Sequence, residues 1–186
     1  MWVYVYNKGF GLLEIMVALV VVGILLAIGL PSIVDYQEQT RADVRIMQLY
    51  HTLIFARQTA ISANQAVIIC PTSNQQACGG NWSGELMVFI DQNHNQRRDN
   101  NEQILRLLQP NTAGKLSWSG FGAASYLIFL PYGFTNQQNG TFIYCSPSHQ
   151  ISQTRGIIIN KSGRARLAKV TNQGGIINAN GEEVHC

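Results

Sequence analysis

The run FGLLEIMVALVVVGILLAIGL, Phe10 to Leu30, decides how the rest of the chain is read. Its only charged residue is Glu14, and at 1.5 Å per residue a helix of this length reaches about 30 Å, the thickness of a bilayer core. The run therefore predicts a membrane-spanning helix. A removable secretory signal, cut after the small residues Ala27 to Gly29, is the competing reading. Glu14 argues against it, because a carboxylate at the centre of a span costs about 2.5 to 3.5 kcal/mol and is kept only where it has a partner.

Working outward from Leu30, Pro31 closes the apolar run and can bend a helix through its missing N–H. Beyond it Ile46, Leu49, Leu53, Ala56 and Ala60 recur at spacings of three and four, the period of an amphipathic helix whose stripe packs on a core. One long helix is expected, half in lipid and half against a domain. After Asn64 the pattern changes to short runs rich in β-formers, separated by Gly, Asn and Pro: AVIIC, ELMVFID, QILRLL, KLSWS, YLIFL, GTFIYC, RGIIIN and RARLAKV. The predicted class is α+β, a long N-terminal helix packed on an antiparallel β-rich globular head from about Gln65 to Cys186. A chain of 186 residues has room for one such core and an extra element.

The net charge of +3 conceals an uneven distribution. From Gln103 to Gly181 there is no Asp or Glu, while Arg106, Lys115, Arg155, Lys161, Arg164, Arg166 and Lys169 all fall in that interval. Four cysteines, Cys70, Cys78, Cys145 and Cys186, lack C-x-x-C spacing, which disfavours zinc-ribbon and thioredoxin-like readings and favours disulfides in an oxidising compartment. Of the three pairings, sequence proximity selects Cys70 with Cys78 and Cys145 with Cys186. Free buried thiols are the other reading, and the terminal position of Cys186 weighs against it.

Catalytic and metal chemistry finds little purchase. His51, His94, His149 and His185 are scattered without metal-ligand spacing, and no G-x-S-x-G elbow or phosphate loop occurs. The segment DQNHNQRRDNNE places Asp91, Asn93, Asn95, Asp99 and Glu102 at positions 1, 3, 5, 9 and 12 of a calcium loop. Gln96 stands where that loop needs Gly, however, and Arg97 and Arg98 put two cations in the ring, so a polar hairpin is expected. No enzyme activity, cofactor or metal is assigned.

One stretch remains, NKSGRARLAK, Asn160 to Lys169. RGIIIN and RARLAKV read as two strands joined at Lys161, Ser162 and Gly163. In an extended strand Arg164 and Arg166 share a face, about 6.6 Å apart, with Ala165 and Leu167 on the other. Two adjacent guanidiniums suit bidentate binding of phosphates, with Lys161 as a third contact. Arg155 and Lys169 extend the basic set, Lys169 on the opposite pleat phase. A solvated hairpin kept soluble by its charges is the plainer alternative.

Residues Lys8 to Glu14, KGFGLLE, resemble the type III signal of type IV pilins and type II secretion pseudopilins: a basic leader ending in Gly, then Phe, three mostly apolar residues and Glu, ahead of an apolar helix. The resemblance implies cleavage after Gly9 by a prepilin peptidase, N-methylation of Phe10, and a Glu14 that neutralises a neighbouring subunit's N-terminal amine during assembly. A carboxylate and an ammonium buried together are tolerable where either alone is not. It divides the chain into a leader (1–9), a transmembrane half-helix (10–30), an amphipathic half-helix (31–64) and a β-rich head (65–186). The implied location is the inner membrane, single-pass, with the head in the periplasm, followed by assembly with other pilins into a surface fibre. SGRARL further resembles the G-R-x-R signature of FimT-type minor pilins, here Gly163, Arg164, Ala165 and Arg166, which implies binding of extracellular DNA for uptake in transformation. GspH-type pseudopilins share the same plan and are the structural alternative.

Overall fold

The computed structural model describes residues 9, 11–110, 114–121, 125–148, 153–171, 173 and 175–186. Among the described residues are one long helix, α1 (Leu12–Ala63), and ten strands: β1 (Ala66–Thr72), β2 (Glu85–Asp91), β3 (Ile104–Leu108), β4 (Lys115–Phe121), β5 (Leu127–Phe129), β6 (Asn139–Cys145), β7 (Arg155–Ile159), β8 (Ala165–Leu167), β9 (Ile176–Ile177) and β10 (Glu183–Val184). The chain has the expected plan of a long N-terminal helix and an antiparallel β-rich head. Two compact units, Met1–Gln37 and Glu38–Cys186, divide within α1.

In the first unit α1 carries the apolar run, and its side chains from Leu12 to Leu30 are almost all exposed, Leu12 at 78% and Ile28 at 73%. By length and composition this part of the helix can cross a membrane. The helix continues through Pro31, where the missing N–H forfeits a single bond of the ladder.

In the second unit Ala42, Ile46, Leu49, Leu53, Ala56 and Ala60 of α1 are buried, the stripe set by their three-and-four spacing. Each leucine so buried contributes about 1.5 to 3 kcal/mol. The stripe packs on two sheets. The first has the strand order β3-β2-β1-β5 and the second β4-β6-β7-β8. Along β1, which pairs with β2 from Ala66 opposite Asp91 to Thr72 opposite Glu85, the pleat sends Val67 and Ile69 into the helix-side core. Ala66, Ile68 and Cys70 go to a second cluster with Met87, Phe89 and Ile128 on the far face. Both faces of β1 are thus covered, which is why AVIIC reads as a continuous apolar run rather than an alternating one.

The hairpin of β9 and β10 was not expected, since two-residue strands carry no periodicity. It is held beside the second sheet by Ala179 N–H donating to Thr141 Oγ1 at 3.0 Å and Ile177 N–H donating to the Lys169 carbonyl at 3.0 Å. Ile176 is its buried anchor.

Cys70 pairs with Cys78 and Cys145 with Cys186, so the first closes a loop of separation 8 and the second ties the C-terminus to the end of β6 across a separation of 41. Chain entropy makes the longer loop worth more, about 4 kcal/mol against about 2.6 kcal/mol. Replacing both Cys145 and Cys186 by serine should lower the thermal midpoint by about 10 °C, and the Cys70/Cys78 double variant by less. Scanning calorimetry of the two variants gives the order directly.

Candidate functional site

The turn between β7 and β8 is built by its own side chains. Asn160 Oδ1 accepts from the Arg164 N–H at 3.0 Å and from Ser162 Oγ at 2.8 Å, while Gly163 N–H donates to the Asn160 carbonyl at 2.9 Å. Gly163 has φ +73°, a left-handed conformation that glycine adopts without steric cost. It also lies against Gly133, where a Cβ would come within 2.0 Å of the carbonyl oxygen. That same oxygen accepts from Arg57 Nε of α1 at 2.9 Å. The Lys161 carbonyl accepts from Thr135 N–H at 3.1 Å and from Thr135 Oγ1 at 3.2 Å. The basic turn is therefore pinned, through Gly133 and Thr135, onto the body of the head.

Strand register sorts the basic residues by face. Ala165 lies opposite Ile159, and it packs against the helix-side core. Arg166 lies opposite Ile158, on the other face, and both Arg164 and Arg166 are exposed. Arg166, Lys161, Asn139, Asn160, Ile158 and Ala179 line a groove of about 490 Å³. Lys161 Nζ sits 5.8 Å from the ring centroid of Phe121, which is itself 68% exposed. Among the described residues the ion pairs are Arg155 with Asp43 and His185 with Glu183, so no carboxylate of the head neutralises Lys161, Arg164 or Arg166.

Arg155 does not join them, and the reason is pleat parity. It shares the phase of Ile157 and Ile159, which face the helix, and its Nε donates to Asp43 Oδ1 of α1 at 2.6 Å. Lys169 is exposed but falls on the phase opposite Arg164 and Arg166, in the segment whose carbonyl is taken by β9. At the β7–β8 turn the exposed basic residues are therefore Lys161, Arg164 and Arg166, of which Lys161 and Arg166, but not Arg164, line the groove.

The Asp91–Glu102 loop holds itself together. The Asp91 carboxylate accepts from the N–H groups of Asn95 and Gln96, both at 3.1 Å, and the Glu102 carboxylate from those of Gln92 at 2.8 Å and Asp99 at 2.9 Å. Burial pushes the Asp91 carboxyl above its usual range, against the lowering effect of those N–H bonds. Among the described residues no group of three His, Cys, Asp or Glu side chains is placed to hold a metal.

At the other end of the chain Gly9 and Glu14 are exposed, Glu14 in the first turn of α1. Phe10 lies outside the described residues.

The clamp of Arg57 on Gly133 and of Gly133 on Gly163 has no signature in the sequence, because its three residues are brought together only by the fold. The one hint was the Gly that precedes the two arginines.

A membrane-length apolar helix that becomes the spine of a disulfide-bonded antiparallel head defines a pilin-type subunit. Residues 5–30 match the prokaryotic N-terminal methylation motif. Residues 45–163 match the family described as type II transport protein GspH, and the chain belongs to that family of minor pilins and pseudopilins. As members of a pilin family, such subunits associate with other pilins and are processed by a prepilin peptidase. Among solved structures, the type IV minor pilin FimU of Pseudomonas aeruginosa has the same fold at 19% identity, with a TM-score of 0.50 over 76% of this chain and 93% of that one. The minor pseudopilin EpsH from the type 2 secretion system of Vibrio cholerae aligns at 14% identity and a TM-score of 0.49, over 68% of this chain and 95% of that one. Comparison with curated proteins finds no significant match.

Proposed function

We propose that this minor pilin binds DNA through the β7–β8 turn, with Arg164 and Arg166 gripping phosphates and Lys161 adding a third contact, and serves DNA uptake by a type IV pilus. The observation that carries the reading is the pair of exposed, un-neutralised guanidiniums on a turn pinned to the head. The resemblance of Gly163 to Arg166 to the G-R-x-R signature supports it. The groups suit phosphates rather than base edges, so binding is largely independent of sequence. One subunit neutralising a few phosphates binds weakly, and several subunits in a fibre add avidity.

The test is fluorescence anisotropy of labelled duplex DNA with the full-length protein in detergent micelles, comparing the parent with an Arg164→Gln/Arg166→Gln double variant at low salt. Equal binding by parent and folded variant overturns the assignment. A parent that ignores DNA and binds other minor pilins favours the second reading, a structural subunit that primes a pilus or secretion pseudopilus. The family match across residues 45–163 supports that alternative.

The N-terminal roles belong to the same proposal: cleavage after Gly9, methylation of Phe10, and Glu14 as the charge partner of a neighbouring amine. The mature protein should begin at methylated Phe10 in an intact-mass spectrum. A chain beginning at Leu30 would show instead that the apolar run is a disposable signal.

A further inference from the structure

The stretch LPYGF, Leu130 to Phe134, forms a second turn that puts two aromatic side chains in solvent, Tyr132 at 64% exposure and Phe134 at 47%. Leu130 N–H donates to the Phe134 carbonyl at 2.8 Å, and Gly133 N–H to the Leu130 carbonyl at 2.7 Å. The two rings meet edge to face with centroids 5.4 Å apart, so Phe134 buttresses the more exposed Tyr132. This turn is fastened to the basic one. Thr135, next to Phe134, donates to the Lys161 carbonyl through both its N–H and its Oγ1, and the Gly133 carbonyl, held by Arg57 Nε, lies against Gly163. Exposed aromatic rings and un-neutralised cations are thus presented as one hydrogen-bonded unit.

Three concavities run together over this unit. Tyr132, Phe134 and Lys161 line one of about 280 Å³. It shares Lys161 and Ser162 with the groove that holds Arg166, and that groove shares Asn139 and Ala179 with a third, of about 410 Å³, lined by Phe121. Among the described residues no acid lines any of the three. Along the run an aromatic side chain is followed by Lys161 and Arg166 and then by a second aromatic, Phe121, which is 68% exposed. A bare polyanion would use only the cations, and an apolar partner would leave them unpaired. A strand in which phosphates alternate with flat bases uses both. In a duplex the base faces are stacked on neighbouring pairs, so only unpaired nucleotides offer a face to these rings. We infer that the run is a single-strand site, in which bases stack on Tyr132 and Phe121 while Lys161 and Arg166 hold the phosphates between them. The inference rests on the DNA reading of the β7–β8 turn and narrows its ligand to DNA with an unpaired stretch.

The experiment measures fluorescence anisotropy with full-length protein in detergent micelles at low, constant salt. Its labelled probes are an oligothymidylate of about 12 nucleotides, an abasic deoxyribose-phosphate strand of the same length, and a duplex. Two stacked bases should make the oligothymidylate bind about 25-fold more tightly than the abasic strand. Tyr132→Leu and Phe121→Leu keep apolar bulk without a flat ring, and each should cut that ratio about fivefold, whereas Tyr132→Trp keeps a ring and should retain it. Both positions are exposed, so the variants should fold, and their thermal midpoints verify it. A parental ratio of one, or a ratio that both leucine variants leave unchanged, overturns the inference. If the duplex and the abasic strand then still bind, and Arg164→Gln/Arg166→Gln abolishes that binding, the DNA reading stands without it; if none of the probes binds, both fall. Leucine variants that keep the ratio but lose binding to another minor pilin would make the aromatic turn a subunit contact instead, which also overturns it.

Discussion

Replacing Arg164 and Arg166 together by glutamine should remove most of the DNA affinity and most of its salt dependence. Each phosphate neutralised on duplex DNA contributes about 0.9 to the slope of log K against log salt. With Lys161, Arg164 and Arg166 all engaged the slope is about −2.7, so raising salt from about 50 to about 200 mM weakens the parent about 40-fold. The double variant retains only Lys161, and the same change should weaken it only about 3- to 4-fold. Each lost charge-assisted contact also costs about 1.5 to 3 kcal/mol, so the variant's affinity at low salt should be at least about a hundredfold lower. The glutamines leave β8 intact, because both side chains are exposed and neither carries a hydrogen bond of the turn.

Two further variants separate this site from a diffuse positive field. Arg164→Lys/Arg166→Lys preserves charge without the planar fork, so it should retain the parent's slope while losing affinity. Arg155→Gln should leave both slope and affinity unchanged, since Arg155 faces the helix and is occupied by Asp43. It should cost no more than about 1 kcal/mol of stability, because Asp43 is 57% exposed and a pair open to solvent is worth little. If Arg155→Gln weakens DNA binding as much as Arg166→Gln, net charge and not the turn is responsible.

The contrast between Arg155 and Arg166 shows how far the residues could be read before folding. Periodicity of 3.6 in α1 and apolar runs in β1 to β8 are local signals, and they place the helix stripe and most strands correctly. The alternation from which Arg164 and Arg166 are expected on one face is also local, whereas the structure starts β8 only at Ala165 and places Arg166, not Arg164, in the groove lining. The parity that separates Arg155 from them depends on the register of β7 with β8, Ile158 against Arg166, and that register is set by the turn and the core rather than by either strand alone. Disulfide pairing was accessible because proximity along the chain coincides here with proximity in space. The β9–β10 hairpin was not, since its strands are stabilised by what they lie on rather than by a pattern of their own.

Gly163→Ala should destabilise the turn itself, which the changes to the arginines leave intact. The substitution pays first for a side chain at φ +73°, about 1 to 2 kcal/mol. It pays again because the new Cβ would lie 2.0 Å from the Gly133 carbonyl oxygen. That oxygen cannot retreat freely: Arg57 Nε holds it at 2.9 Å, and Gly133 N–H is bound to the Leu130 carbonyl at 2.7 Å. The turn must lift instead, which strains or breaks the bonds from Thr135 to the Lys161 carbonyl. Overpacking of this kind adds about 1 to 3 kcal/mol, for a total of about 2 to 5 kcal/mol and a fall in thermal midpoint of about 10 °C. Gly181 provides the control, with φ +85° and no atom within 4 Å of its virtual Cβ, so Gly181→Ala should pay the conformational cost alone. The difference between the two midpoints measures the clash. At temperatures where Gly163→Ala remains folded, its DNA affinity should still fall, because the guanidiniums keep their charge but lose the pinned turn that aims them. A Gly163→Ala protein with parental DNA affinity and a midpoint equal to that of Gly181→Ala would mean that the turn is not fixed by Gly133, and that the glycine before the two arginines serves only its backbone angle.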